Sequence, residues 1–180
     1  MKRWSFRRGL GLIAKGHDGL TQAGFILGTV ALAAIVVLFS YEIVARYFLR
    51  APTRWISDYV AYALLISTFL LLPQLTRTRQ HISITFIQDS LPERLRIALV
   101  VILTLVSGAI CLAASYLCWL ETARQFNAGT RTMAVVSIPK WWISSFIVYG
   151  LFNSGLYFLR LAIEDIIRAI LPGADPKGAA

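Results

Sequence analysis

The chain has 180 residues, of which 57% are hydrophobic and only 15% are charged, and its mean hydropathy is +0.66. This composition excludes an ordinary soluble domain of that length. The net charge of +9 does not indicate a nucleic-acid partner, because the basic residues fall between long uncharged runs instead of forming one basic face. Composition and charge together predict a membrane protein.

Four uncharged apolar runs follow one another along the chain. Each is close to or longer than the ~18 to 20 residues that a helix needs to cross a hydrocarbon core of ~30 Å. Because backbone polar groups in lipid must be satisfied within their own segment, helices are the expected form of such runs. We expect an all-α integral membrane protein, with one membrane domain over residues 1–180 and helices at about 22–49, 56–76, 91–120 and 138–171.

The two ends of the chain differ from these runs. Residues 1–21 carry five Lys or Arg and a single acid, Asp18, and we expect them to lie in the cytoplasm against the headgroups of membrane phospholipids. The apolar region of a cleaved signal peptide usually has about 7 to 15 residues, and the run here is longer, which favours an uncleaved anchor. Residues 172–180 are expected to form a flexible tail.

The distribution of Lys and Arg predicts the orientation. Twelve of them lie in the N-terminal segment, the loop after the second helix and the C-terminal tail, whereas six lie in the other two loops. Under the positive-inside rule, this two-to-one bias places the N-terminus and the C-terminus in the cytoplasm.

Aromatic residues cluster at the helix ends that this orientation assigns to the outer interface. Indole and phenol rings prefer the headgroup boundary, and a proline is well tolerated in the first turn of the fourth helix. We expect interfacial anchors here, the alternative being a docking surface for another protein. The residues are Tyr47, Trp55, Trp119, Pro139, Trp141 and Trp142.

Three charges flank the connection between the first two helices. Glu42 and Arg46 stand four residues apart, on one helix face and in the favourable order for an ion pair. In an antiparallel hairpin Asp58 lies at a similar depth to Arg46, so it is a second candidate partner. A lone charge at mid-bilayer costs about 2.5 to 3.5 kcal/mol, and less near the interface or when paired. The cluster is either a structural pin of the hairpin or a contact with a partner subunit.

The loop after the second helix contains Arg77, Arg79 and His81. The two arginines sit where cytoplasmic phosphates are expected. A histidine can carry protons or bind a metal, but no second His, Cys or carboxylate stands beside His81 at ligand spacing. A surface or partner contact is therefore favoured for His81, and we expect no metal or cofactor.

The centres of the four runs contain no ionisable residue other than Tyr and Cys. Ion and proton pathways usually need ionisable groups at membrane depth, which argues against a coupled transporter acting alone. Hydrogen bonds between helices explain the central Asn153 and Ser154, and ordinary helix packing explains the GxxxG spacing of Gly24 and Gly28. No catalytic motif is present, so we expect a protein that is not an enzyme.

A set of residues spread over most of the chain has a distinctive order and spacing. They are Arg46, Tyr47, Trp55, Asp58, Arg77, Arg79, His81, Ile82, Leu91, Pro92, Ile138, Pro139, Trp141 and Gly150. In these residues the chain resembles a known family, the small integral membrane subunits of tripartite ATP-independent periplasmic (TRAP) transporters. The sequence departs from the family pattern at three positions: Asp58 stands where the family tends to have Glu, Leu71 where it tends to have Gly, and Thr85 where it tends to have an acid.

This resemblance implies a heteromeric complex in the bacterial inner membrane. The partners would be a large TRAP membrane subunit, which carries the substrate and sodium sites and moves like an elevator, and a periplasmic substrate-binding protein. The transported compound would be an organic acid such as a dicarboxylate, another carboxylate or a sialic acid. The small subunit would steady the fixed scaffold and help dock the binding protein.

Two other functions compete with this interpretation. The first is a small self-sufficient four-helix exporter, acting as a homodimer with Glu42 as its proton-coupling carboxylate. Such a group belongs near the middle of its helix, whereas Glu42 follows a long uncharged run and precedes Arg46. The second is a membrane enzyme, for which the sequence offers no residues.

Overall fold

The computed structural model describes residues 2–48, 50, 53, 55–78 and 92–170, and for residues 2–15, 93–94 and 168–170 it describes the backbone only. This part of the chain forms four α-helices and no β-strand. The all-α, four-helix expectation is thereby confirmed. The helices are α1 (Lys2–Tyr47), α2 (Ile56–Arg77), α3 (Glu93–Asn127) and α4 (Lys140–Ile170).

Two helices extend beyond their predicted ends. α1 begins at Lys2 rather than near residue 22, and α3 continues to Asn127 rather than ending near residue 120. The prediction stopped each helix where the apolar run stopped, but an established helix adds one hydrogen bond per residue and can continue into polar sequence. α3 continues through Glu121 and Arg124, which are good helix formers. The extension of α1 is helical although it contains four glycines, so propensity alone does not explain it. The basic segment is thus part of α1. The predicted C-terminal tail lies outside the described residues.

All four helices are long and apolar enough to cross a membrane. The spanning segments are Gly16–Tyr47, Ile56–Arg77, Leu95–Asn127 and Lys140–Ile167. Length and composition therefore define a multi-pass membrane protein.

The four helices pack in the order α1, α2, α4, α3. α1 lies against α2, α2 against α4, and α4 against α3. The two outer helices consequently leave many large apolar side chains exposed. We call the end where α1 connects to α2 and α3 connects to α4 the hairpin end, and the opposite end, which contains Asp18, the Asp18 end.

Glycines set the closest helix contacts. Gly24 and Gly28 of α1 face Leu70 and Leu71 of α2, and a Cβ atom at Gly28 would lie 3.0 Å from the Cγ atom of Leu71. The GxxxG pair therefore serves packing within the chain, as expected. Gly28 also provides the space for the Leu71 side chain.

Gly150 of α4 makes the tightest of these contacts. A Cβ atom added there would clash with the backbone carbonyl of Phe69 in α2. Because backbone atoms cannot turn away as a flexible side chain can, the two helices would have to separate.

We expect Gly150→Ala to destabilise the protein by about 1 to 3 kcal/mol, the usual cost of overpacking. At about 2 to 4 °C per kcal/mol, the Tm in detergent should fall by several degrees. Gly19→Ala is the matched control, because nothing lies within 4 Å of a Cβ atom at Gly19. An equal Tm for both variants would show that the α2 to α4 contact is not tight.

Candidate functional site

At the hairpin end, the Glu42 carboxylate is buried on α1. It accepts a hydrogen bond from Nη2 of Arg46 at 2.8 Å and another from the Thr53 hydroxyl. The Glu42 side chain is 8% exposed and that of Arg46 is 57% exposed, so the guanidinium covers the carboxylate from the solvent side. The predicted pairing of Glu42 with Arg46 is present, and Thr53 is a second donor that the sequence did not reveal.

Asp58 does not pair with Arg46 in the structure. Its Oδ2 atom instead accepts a hydrogen bond from the backbone N–H of Val136 at 3.2 Å, in the connection between α3 and α4. One turn further along α2, the Tyr62 hydroxyl donates to the carbonyl of Val136 at 3.4 Å. The alternative pairing fails because Arg46 is held by a carboxylate on its own helix, one turn earlier.

The connection formed by residues 129–139, which we call the α3–α4 loop, is closed by its own hydrogen bonds. It begins at Gly129, whose φ of +60° lies in the left-handed region that favours glycine. The N–H of Lys140 donates to the Thr130 carbonyl at 3.1 Å, and the N–H of Thr132 donates to the Ile138 carbonyl at 3.0 Å. The loop is therefore a compact unit above the ends of α3 and α4.

The predicted aromatic anchors all lie towards the hairpin end. Trp55 packs edge-on against Tyr59 at 5.7 Å between ring centroids, and Trp141 packs in the same way against Phe126 at 5.4 Å. The rings of Tyr47, Trp55, Trp119 and Trp142 are exposed, whereas Pro139 and Trp141 are half-buried.

A second polar cluster at the Asp18 end joins three helices. The Asp18 carboxylate of α1 lies 3.3 Å from the guanidinium of Arg77 on α2 and 3.3 Å from that of Arg160 on α4. It also accepts a hydrogen bond from the Tyr157 hydroxyl at 2.9 Å, and that hydroxyl lies 3.0 Å from the hydroxyl of Thr21. A single carboxylate thus ties α1, α2 and α4 together.

His17 adds a further tie between α1 and α4. Its Nε2 atom lies 2.8 Å from Oδ1 of Asn153, and its ring packs on Tyr157 with a centroid distance of 4.4 Å. The expectation of hydrogen bonds between helices is therefore confirmed for Asn153. It is wrong for Ser154, whose buried hydroxyl has no hydrogen-bond partner among the described residues. The sequence reasoning missed the Asp18 cluster; the available signal was one acid among five basic residues directly before an apolar run.

The predicted cytoplasmic contacts are only partly described. Arg77 is the ion-pair partner of Asp18, with its side chain 38% exposed. Arg79 and His81 lie outside the described residues. Contact of these three residues with headgroups or a partner stays a prediction.

A cavity of about 450 Å³ lies between α1, α2 and α4. Its walls are almost entirely apolar, and Ser145 and Tyr149 supply its side-chain hydroxyls. Within the described part of the chain, no group of three or more His, Cys, Asp or Glu side chains is placed to hold a metal ion. The polar chemistry of the described residues is therefore concentrated at the hairpin end and the Asp18 end.

Four apolar helices, of which three are tied by charges near the ends of their spanning segments, define a multi-pass membrane protein. Residues 35–170 match the family model described as "Tripartite ATP-independent periplasmic transporters, DctQ component". The chain belongs to this family, and it is a small membrane subunit of a TRAP transporter. A comparison with curated proteins found no match.

We expect Asp18→Asn to destabilise the protein by about 1 to 3 kcal/mol, because Arg77 and Arg160 lose their shared carboxylate at a partly buried site. Thermal unfolding in detergent measures this change. Glu164→Gln is the matched control, since it removes the other carboxylate of Arg160 from an exposed position and should cost less than about 0.5 kcal/mol. Equal effects of the two substitutions would contradict a special role of Asp18.

Proposed function

We propose that the chain is a non-catalytic auxiliary subunit of a sodium-coupled TRAP transporter for an organic acid such as a dicarboxylate, another carboxylate or a sialic acid. It scaffolds the large elevator-type membrane subunit and helps dock the periplasmic binding protein. Family membership supplies the transporter class. The sodium coupling, the substrate class and the two roles are the proposal.

The observation that carries the proposal is the position of the charges. Each helix has an uncharged central part: the bounding charges are Asp18 and Glu42 on α1, Asp58 and Arg77 on α2, Arg96 and Glu121 on α3, and Lys140 and Arg160 on α4. Coupled transport normally needs ionisable groups at membrane depth. We therefore assign the substrate and ion sites to the large subunit.

The arrangement of the helices suits a scaffold, because α1 packs mainly on α2 and α3 packs mainly on α4. α1 and α3 therefore each keep a broad lateral surface that the rest of the described chain does not cover. Large apolar residues are exposed on α1 and α3, so this surface is suited to contact with a second membrane protein or with lipid. The small subunit can thereby widen the fixed part of the transporter.

The geometry is less suited to the alternative, a homodimeric proton-coupled exporter. Glu42, its candidate coupling group, lies near the hairpin end of α1 and already accepts hydrogen bonds from Arg46 and Thr53. A coupling carboxylate must exchange protons at membrane depth, and this one is held by an ion pair at the end of its helix.

We propose that the protein lies in the bacterial inner membrane with both termini in the cytoplasm. The distribution of Lys and Arg supports this orientation, and the aromatic residues towards the hairpin end support an interface there. The hairpin end then faces the periplasm. The Asp18 end then faces the cytoplasmic headgroups. Arg77 lies at this end of α2, and Arg79 and His81 follow it in the sequence.

Co-expression and reconstitution test the auxiliary role. The chain should co-purify with the large subunit in mild detergent, and a panel of labelled dicarboxylates, monocarboxylates and sialic acid should include one that enters proteoliposomes. Uptake should require both membrane subunits, the binding protein and a sodium gradient. Recovery of this chain alone, with transport activity when reconstituted alone, would contradict the proposal.

Cysteine labelling in intact cells tests the orientation. In a Cys111→Ala, Cys118→Ala background, Met133→Cys in the α3–α4 loop should react with a membrane-impermeant maleimide once the outer membrane is made permeable. Ala180→Cys should react only after the inner membrane is opened as well. The reverse pattern would place the hairpin end in the cytoplasm.

A further inference from the structure

The α3–α4 loop is held against α2 through one residue. Both backbone polar groups of Val136 are bound by α2 side chains: its N–H donates to Asp58 and its carbonyl accepts from Tyr62. These two partners stand four residues apart, on one face of α2. The loop therefore has a fixed position relative to α2 and does not depend on α3 and α4 alone.

Side-chain exposure alternates along the loop. Arg131, Met133, Val135 and Ser137 are exposed, whereas the residues between them are half-buried. The relative exposure of Met133 is 103% and that of Val135 is 67%. Residues 133–136 form bends at the tip of the closed loop, and the alternation gives the loop one face directed away from the protein. Two apolar side chains are thus presented outwards by a loop with a fixed base.

The surroundings of this face carry excess positive charge. Arg131 and Lys140 are exposed and form no ion pair among the described residues. Two carboxylates lie nearby: Glu121, which is 2.8 Å from Arg124, and Asp58, which binds the N–H of Val136. The three cations Arg124, Arg131 and Lys140 outnumber these two carboxylates. A complementary surface would be acidic around an apolar pocket.

We infer that the outward face of the α3–α4 loop, formed by Arg131, Met133 and Val135, is a docking element for the acidic surface of a water-soluble protein. This partner is the periplasmic binding protein, and the inference rests on the proposed function. Asp58 and Tyr62 are positioning residues that hold the loop through Val136.

The chemistry of the face suits a protein contact. A methionine side chain adapts its shape to an apolar pocket, and a cation beside it contributes orientation. Because Asp58 and Tyr62 hold the loop in place before a partner arrives, less conformational entropy is lost on binding. Insertion of the same side chains into the bilayer is the competing possibility, and the third experiment below separates it.

The first experiment measures uptake by the complete transporter as a function of binding-protein concentration, with the labelled carboxylate that the wild-type complex accepts. The double variant Met133→Ser, Val135→Ser should raise the KM for the binding protein at least tenfold, with kcat and recovery of the large subunit unchanged. Ser137→Ala, on the same face, and Met133→Leu should behave as wild type. An unchanged KM, or a raised KM with loss of the large subunit, overturns the inference.

The second experiment tests the positioning residues. Asp58→Asn weakens the acceptor for the Val136 N–H. Tyr62→Phe removes the α2 donor to the Val136 carbonyl and leaves the Thr132 hydroxyl, within the loop, as its donor at 3.5 Å. Each should raise the KM for the binding protein by a smaller factor than the double variant, at constant kcat, and the combination should raise it further. Asp58→Glu, which keeps the carboxylate, should raise the KM for the binding protein less than Asp58→Asn does. A fall in kcat with constant KM overturns the positioning role.

The third experiment reports the environment of the loop. An environment-sensitive fluorophore on Met133→Cys, in the background without Cys111 and Cys118, should shift to the blue only when the binding protein is added. A blue shift in proteoliposomes without that protein indicates membrane insertion and overturns docking.

The experiments distinguish failure of the loop inference from failure of the proposed function. If the wild-type complex neither assembles nor transports, the proposed function itself fails. If the wild-type complex transports and the loop variants behave as wild type, the loop inference alone fails.

Discussion

The contact of α2 with α4 holds the two halves of this protein together. Membrane helices gain little from leaving lipid, so their association depends on close van der Waals contact and polar ties. Gly150 allows α4 to approach the backbone of Phe69 near the middle of the contact. On one side of it Asp58 and Tyr62 bind Val136, and on the other Asp18 bridges Arg77 and Arg160. Both polar ties lie towards the ends of the spanning segments.

Charged side chains are kept away from the middle of the four helices. The ionisable side chains that connect helices lie towards the helix ends, while neutral groups such as Asn153 and small residues such as Gly150 lie between them. A protein built in this way can keep a fixed shape while a larger partner moves beside it. That property agrees with membership of the DctQ component family and with an auxiliary role.

Asp58 illustrates how a charge can have a different role from the one its sequence neighbours suggest. Beside Glu42 and Arg46 it resembles part of a hairpin pin, yet in the structure it holds a loop that lies 78 positions further along the chain. Asp58, a charged residue close to the connection between α1 and α2, thus helps to fix the position of the α3–α4 loop. If the loop receives a soluble partner, Asp58 contributes to recognition without touching that partner.

The sequence by itself determined the number of helices, their apolar cores and the pairing of Glu42 with Arg46, because hydrophobic run length and the four-residue spacing are local properties. It also carried the family resemblance. It could not place the start of α1, because an established helix can continue beyond its apolar run by adding one backbone hydrogen bond per residue.

Only the tertiary structure decided the contacts between distant segments. The Asp18 cluster unites residues of α1, α2 and α4, and the Asp58 contact unites α2 with the α3–α4 loop. Helix order and rotation select these partners, and both depend on how Gly28, Gly150 and their facing residues pack. Such packing is a property of surfaces brought together in space, which no local spacing in the chain records.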